Sequence, residues 1–195
     1  MRTQVVIIGG GPSGLLLGQL LHKQGVEAVV LERKTRAYVL GRVRAGVLET
    51  GLVGLMEEAG TADRLHREGF LHDGTQIALG GEMFHIDFKA LTGKPVIVYG
   101  QTEVTRDLYD AREAAGAQTE FEVDHVTIHD ADSTAPYVTF DQHGQQKRID
   151  CDFIAGCDGF HGVSRQTIPL SVRREYEKTY PFGWLGVVCE TMPVN

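Results

Sequence analysis

Val5-Val6-Ile7-Ile8-Gly9-Gly10-Gly11-Pro12-Ser13-Gly14, answered by Leu31-Glu32-Arg33, is the stretch on which the fold turns. An uninterrupted apolar run, too short for a helix, enters a Gly-x-Gly-x-x-Gly turn. A leucine-rich helix follows, and a second apolar strand ends on a carboxylate. A lone glycine pattern would be weak evidence; with strand, helix and acid in register it is the fingerprint of a dinucleotide-binding βαβ unit. Each glycine has its own task. Gly9 permits the tight turn, Gly11 lets the backbone approach a pyrophosphate, and Gly14 lets the helix pack closely on the strand. The helix N-terminus offers free N–H groups and the positive end of its dipole to phosphates. Glu32, about 20 residues further on, is placed to accept hydrogen bonds from a ribose hydroxyl.

The 195 residues are 42% hydrophobic and 23% charged, an ordinary globular balance that fits one large domain or one domain plus part of another. A net charge of −7 argues against a nucleic-acid or anionic-membrane surface, and no apolar run is long enough to span a bilayer. Met1-Arg2-Thr3-Gln4 passes directly into the first strand, which leaves no room for a signal peptide. Cys151, Cys157 and Cys189 are odd in number and lack metal-ligand spacing, so they read as reduced thiols of a cytoplasmic protein. His125 and His129 lie four apart in a strand-like stretch and do not share a face, so no metal is expected.

The patterning predicts a buried parallel strand over 3–8, a helix over 12–23 with Gly25 as its stop, and a strand over 27–32. Residues 33–46 read as a loop carrying five cations, Arg33, Lys34, Arg36, Arg42 and Arg44. A helix is expected over 47–59, closed by Gly60, and a short turn over 62–67. Residues 71–87 read as a hairpin turning at Gly80-Gly81, 95–99 as a strand, and 102–115 as a second clear helix. Strands at 121–129, 136–141 and 147–150 suggest a small antiparallel sheet crossing the first. A buried strand over 151–156 delivers Cys157-Asp158-Gly159 to its end, and 181–190 reads as one more strand before the chain stops abruptly at Asn195.

Two features carry further chemistry. Asp158-Gly159 sits at the carboxyl end of a buried strand, where open α/β sheets bind ligands. Gly159 and Gly162 allow close approach, and Ser164-Arg165 starts a helix aimed at the same place. Asp-Gly is in general more often a plain turn than a site. The cation run could likewise be a solvated face. Its place directly after the ribose strand favours countercharge for the 2′-phosphate of NADPH.

Several segments together resemble the p-hydroxybenzoate hydroxylase family of flavin monooxygenases, and the likeness spans essentially all 195 residues. They are the stretch from Gly9-Gly10-Gly11-Pro12-Ser13-Gly14 to His22-Lys23, Tyr38-Val39-Leu40-Gly41-Arg42-Val43-Arg44-Ala45-Gly46-Val47-Leu48-Glu49, and Tyr99-Gly100-Gln101-Thr102-Glu103-Val104-Thr105-Arg106-Asp107-Leu108. Gly156-Cys157-Asp158-Gly159-Phe160-His161-Gly162 and Tyr180-Pro181-Phe182-Gly183-Trp184-Leu185-Gly186 complete the set. The first and fourth occur across the wider group; the others are more particular to this family.

The resemblance implies an α/β fold, an FAD/NAD(P)-binding Rossmann-like domain of the glutathione-reductase type crossed by an antiparallel β-sheet. That domain would occupy 1–175, with 176–195 beginning a truncated β-rich substrate domain. It implies FAD bound by Gly9, Gly11, Ser13, Gly14, Glu32, Arg42, Arg44, Ala45, Gly46, Val47, Gln101, Asp158 and Gly159. Arg44 would hold the flavin in position. NADPH would meet Arg33, Lys34, Tyr38, Arg42, Arg44, His161 and Arg165, the last two offering anion partners from one helical turn. The implied reaction converts 4-hydroxybenzoate to 3,4-dihydroxybenzoate with NADPH and O2, in a protein that is a homodimer at full length. Residues that grip the substrate would lie beyond Asn195. Three readings therefore stand: part of a working hydroxylase, an FAD-binding module without turnover, or a related hydroxylase acting on another phenolic acid.

Overall fold

The computed structural model describes residues 1–187. Its centre is the expected unit: β1 (Val5–Ile8), α1 (Pro12–Lys23) and β2 (Ala28–Leu31). The chain continues through α2 (Arg36–Leu40), β3 (Val47–Glu49), α3 (Thr50–Ala59), α4 (Asp63–Glu68) and β4 (Phe70–His72). Then come β5 (Gly74–Leu79), β6 (Glu82–Asp87), α5 (Phe88–Thr92), β7 (Val96–Val98) and α6 (Gln101–Ala114). The order ends with β8 (Thr119–Glu120), β9 (Val123–His129), β10 (Tyr137–Gln142), β11 (Gln145–Asp150), β12 (Phe153–Gly156) and α7 (Val163–Thr167).

Four parallel strands form the central sheet in the order β12-β1-β2-β8. All four residues of β1 are buried, because both faces of the sheet are covered. Val5, Ile7 and Val30 pack against Leu15 and Leu16 of α1 and Leu108 and Tyr109 of α6. Val6, Ile8, Val29 and Leu31 face Val123, Val138, Phe140 and Ile149 of the antiparallel sheet β11-β10-β9. Helices, parallel sheet and crossing sheet thus make three layers, the FAD/NAD(P)-binding α/β architecture read from the sequence. Each buried Val, Leu or Ile contributes about 1.5–3 kcal/mol, so this double cover is the main source of cohesion. The chain leaves β1 toward β2 on one side and returns as β12 on the other. That reversal opens a crevice at the carboxyl ends of the strands.

Three local expectations are corrected, and one helix appears where no element was read. The 33–46 loop contains α2, whose first turn is capped by the Thr35 hydroxyl accepting from the Tyr38 N–H at 3.1 Å. The helix expected over 47–59 begins only at Thr50. Val47–Glu49 is instead a strand pairing antiparallel with β7, Leu48 opposite Ile97, so a distant partner overrides local helical patterning. Residues 88–92 form α5, started by the Asp87 carboxylate on the Ala90 N–H at 2.7 Å and stopped by Gly93 at φ +75°. Of the strand expected over 181–190, residues 181–187 form none, and 188–190 lie outside the described residues, as does Cys189. The hairpin is where it was read: β5 pairs with β6 around Gly80 and Gly81, both at positive φ.

Candidate cofactor site

The glycine turn closes the carboxyl end of β1 by contacts that a side chain would forbid. Gly9 has φ +110°, and a Cβ there would lie 2.4 Å from the Cys157 carbonyl oxygen at the end of β12. A Cβ on Gly14 would fall 2.0 Å from the Gly9 carbonyl oxygen, so α1 sits hard against the turn. Gly11 differs: a Cβ would meet nothing within 4 Å, so the backbone there borders open space. The Gly10 N–H donates to Glu32 Oε2 at 2.9 Å, and the Lys34 N–H donates to Glu32 Oε1 at 2.8 Å. The carboxylate therefore ties the end of β2 to the turn. The first intrahelical bond of α1 runs from the Leu15 N–H to the Gly11 carbonyl at 3.0 Å. Among the described residues the N–H groups of Gly11, Ser13 and Gly14 have no partner, the arrangement in which a helix start receives an anion.

Three clefts adjoin along this edge. One of about 260 Å³ is bordered by Gly11, Glu32, Lys34, Tyr38, Arg42 and Gln101. The next, about 420 Å³, shares Gly11 and Gln101 and adds Ser13, Ala45, Val47 and Cys157. The third, about 730 Å³, shares Ser13 and Cys157 and reaches Asp158, Gly159 and Arg165. The result is one trough from the Glu32 carboxylate over the start of α1 to Asp158. Gly46 fixes its far wall. The Tyr99 N–H donates to the Gly46 carbonyl at 2.8 Å, and a Cβ on Gly46 would lie 2.2 Å from the Tyr99 carbonyl oxygen.

The cations do not behave alike. Arg36 turns away from the trough to pair with Asp110 of α6. Lys34 and Arg42 flank the Tyr38 ring at 5.4 and 5.8 Å from its centroid, and Arg42 donates to the Tyr38 hydroxyl at 3.3 Å. Arg33 and Arg44 are exposed, and neither side chain has a partner among the described residues. Arg33, Lys34, Tyr38, Arg42 and Arg44 all border the first cleft.

The other end of the trough is partly as expected. The Asp158 carboxylate accepts from the Ser164 N–H at 3.0 Å, and a Cβ on Gly162 would collide with it at 2.1 Å from Cγ. His161 and Arg165 are not on one helical turn, contrary to expectation. His161 lies in the turn before α7 and, with Val123, borders a fourth cleft of about 510 Å³ that shares Glu32 and Arg33 with the first cleft and Asp158 with the third. Arg165 stacks 3.6 Å from the Phe160 ring centroid and pairs with Glu175 at 3.3 Å. The Cys157 thiol is pushed above its ordinary pKa, by burial first and the Asp158 charge second.

Sequence reasoning passed over the residues of α6 that brace the site. Tyr109 is buried and its hydroxyl donates to the Gly10 carbonyl at 2.7 Å. The Tyr99 hydroxyl donates to Asp107 Oδ2 at 2.6 Å, while Arg64 forks to Asp107 and Glu103, both at 2.6 Å. The Arg64 hydrogen bond holds Glu103 below the ordinary carboxylate range, and burial with the Asp107 bond raises Tyr99. Arg112 lies buried beneath them, bonded to the Gln118 and Ala28 carbonyls at 2.8 and 3.3 Å. Helical spacing shows that Leu108 and Tyr109 border the buried face, but not which distant atom a hydroxyl meets.

Residues 2–195 match the FAD binding domain family. The chain is 52% identical over 195 residues to the p-hydroxybenzoate hydroxylase of Acinetobacter baylyi, covering 100% of this chain and 48% of that protein. It therefore spans about half the length of that relative. Among solved structures, PqsL of P. aeruginosa in complex with 2-aminobenzoylacetate superposes with a TM-score of 0.74 at 20% identity, over 93% of this chain and 49% of that one. The p-nitrophenol 4-monooxygenase of Pseudomonas putida gives 0.72 at 21% identity, over 86% and 44%. At such identities these two structures speak for the fold alone.

Proposed function

Because this chain belongs to the FAD-binding-domain family, we propose that it forms the cofactor-holding part of a 4-hydroxybenzoate 3-monooxygenase, which makes 3,4-dihydroxybenzoate with NADPH and O2. The observation that carries the substrate is the 52% identity, along the whole chain, to a relative named for p-hydroxybenzoate. Three N–H groups at a helix start that have no partner among the described residues, a side-chain-free Gly11 and a carboxylate at the far end suit the pyrophosphate and ribose of FAD. Bound FAD supplies the redox chemistry, accepting a hydride from a nicotinamide and activating O2 toward an aromatic ring.

This chain's residues bind and orient. Gly11, Ser13 and Gly14 present backbone donors to the pyrophosphate. Glu32 keeps its hold on Gly10 and Lys34 and offers its remaining lone pairs to a ribose hydroxyl. Gln101 and the 42–47 loop face the same trough from the other side, with Asp158 and Gly159 at its end. Arg44, without a side-chain partner among the described residues, is the residue assigned to hold the flavin in position. Arg33, Lys34, Tyr38 and Arg42 form the nicotinamide nucleotide's anchoring surface, with countercharge for its 2′-phosphate. For Arg165 to join them, its pair with Glu175 must open. Residues 176–195 begin the substrate-binding part.

The test has two stages in the protein that carries this chain. Titration with FAD, read by quenching of flavin fluorescence, is expected to saturate at one site. NADPH oxidation is then expected to rise with 4-hydroxybenzoate and to yield 3,4-dihydroxybenzoate by chromatography. Absence of FAD binding overturns the cofactor reading. Hydroxylation of a different phenolic acid in preference overturns the substrate.

A further inference from the structure

We propose that Tyr109 is a positioning residue for the anion-binding turn: its hydroxyl, by holding the Gly10 carbonyl, aims the Gly11 N–H into the trough. This rests on the reading of the trough as the FAD site. The hydroxyl reaches Gly10 across 99 positions of sequence, at 2.7 Å, and is that carbonyl's single hydrogen-bond donor among the described residues. The i−4 helical donor for this oxygen would be the Gly14 N–H, and that bond is not made. The carbonyl oxygen of Gly10 and the N–H of Gly11 belong to one peptide unit, and no peptide bond among the described residues is cis. In a planar trans unit the two groups point in opposite directions. An oxygen drawn inward to α6 therefore leaves the Gly11 N–H facing away from α6, where Gly11 borders two of the clefts and its N–H has no partner among the described residues.

Such a hold is needed because glycines flank this peptide. Neither Gly10 nor Gly11 has a side chain to restrict φ and ψ, so the unit between them flips cheaply unless something prevents it. A flipped unit would turn a carbonyl oxygen, rather than an N–H, toward an incoming phosphate. Glu32 fixes the preceding unit, Gly9–Gly10, through the Gly10 N–H at 2.9 Å, which leaves the tyrosine hydroxyl to hold the Gly10–Gly11 unit itself. The tyrosine is itself held. Its ring lies 5.5 Å from that of Phe121 and 5.6 Å from the Arg36 guanidinium, which is paired with Asp110 on the same helix. Packing alone would be served by phenylalanine; the hydroxyl is the part that the turn uses.

The first measurement needs no variant. In the cofactor-free wild-type chain the Gly10 amide, bonded to Glu32, should exchange slowly with deuterium and the Gly11 amide quickly. Adding FAD should protect Gly11. A Gly11 amide already protected without ligand overturns the proposal. Tyr109→Phe is then expected to keep the circular dichroism and unfolding transition of the wild type while raising the Kd for FAD about threefold to tenfold, the range of one neutral hydrogen bond. Protection of Gly11 on binding should weaken selectively, with Gly10 unchanged. Tyr109→Leu keeps an apolar side chain there without a hydroxyl, at the cost of a smaller packed volume, and replaces the phenylalanine variant if that one does not fold. An unchanged Kd in a folded variant, or equal loosening of Gly10 and Gly11, overturns the positioning role. If the wild type binds no FAD, it is the cofactor reading that fails. Inorganic pyrophosphate then serves as the probe, and a Gly11 amide resonance that shifts with it equally in wild type and Tyr109→Phe overturns the tyrosine's part.

Discussion

Glu32 holds two backbone N–H groups at once, those of Gly10 and Lys34, so its carboxylate is structural before any ligand arrives. Removing it should therefore do two things. Glu32→Ala is expected to weaken FAD by about 1–3 kcal/mol, the scale of a charged hydrogen bond, and also to lower the unfolding midpoint. Glu32→Gln, which keeps one carbonyl oxygen for those donors, should recover part of the stability and less of the affinity. Paired FAD titrations and thermal melts check both, and an Ala variant that binds FAD as the wild type does removes Glu32 from the site. Cys157 gives a second residue-scale expectation. Burial and Asp158 raise its pKa, so at neutral pH the group is the thiol and the thiolate appears only above the range of a free cysteine. Iodoacetamide labelling, followed by peptide mass spectrometry, should set in at higher pH than in the denatured chain and slow further with FAD present. Labelling at pH 7.5 as fast as in the denatured chain contradicts this.

At the scale of elements, the short helix α2 changes what the cation run can do. It presents Tyr38 between Lys34 and Arg42 and sends Arg36 to α6, so four of the five cations border the first cleft without pairing to a carboxylate among the described residues. Replacing Arg33 and Lys34 together by Ser should raise the apparent KM for NADPH more than that for NADH. Only the former carries the extra phosphate. Steady-state kinetics with both nucleotides decide the matter, and an equal effect marks a general basic surface. The opposite wall is braced by α4 and α6 through Arg64, Glu103 and Asp107. Because Glu103 is held below its ordinary range, its share of that brace is present above the normal carboxylate pKa. It is lost as the pH falls through the depressed value.

For the whole molecule, the double cover of the central sheet contrasts with the apolar surface elsewhere. The hairpin exposes Ile77, Leu79, Met83 and Phe84, and the segment after α7 exposes Phe182 and Trp184, the latter at 95%. Trp184 is the chain's one tryptophan, so its fluorescence reports that segment alone. Emission is expected to resemble free indole and to be quenched fully by iodide. A blue-shifted emission shielded from iodide would show that another surface, such as a second copy, covers it.

The sequence by itself determined the βαβ unit, the tasks of Gly9 and Gly14, the Gly80-Gly81 hairpin and the crossing sheet. These rest on turn chemistry and on periodicity within a few residues, both set by neighbours along the chain. What it could not settle was whatever depended on a distant partner. Val47–Glu49 reads as helix until β7 supplies a strand beside it. His161 and Arg165 read as neighbours until the turn before α7 directs them to different clefts. Tyr109 carries no signal of its own in the sequence, and only the folded chain brings its hydroxyl to Gly10, 99 positions away. A hydrogen bond selects one donor direction to within a few tenths of an ångström, and only the packed layers place two such distant atoms in line.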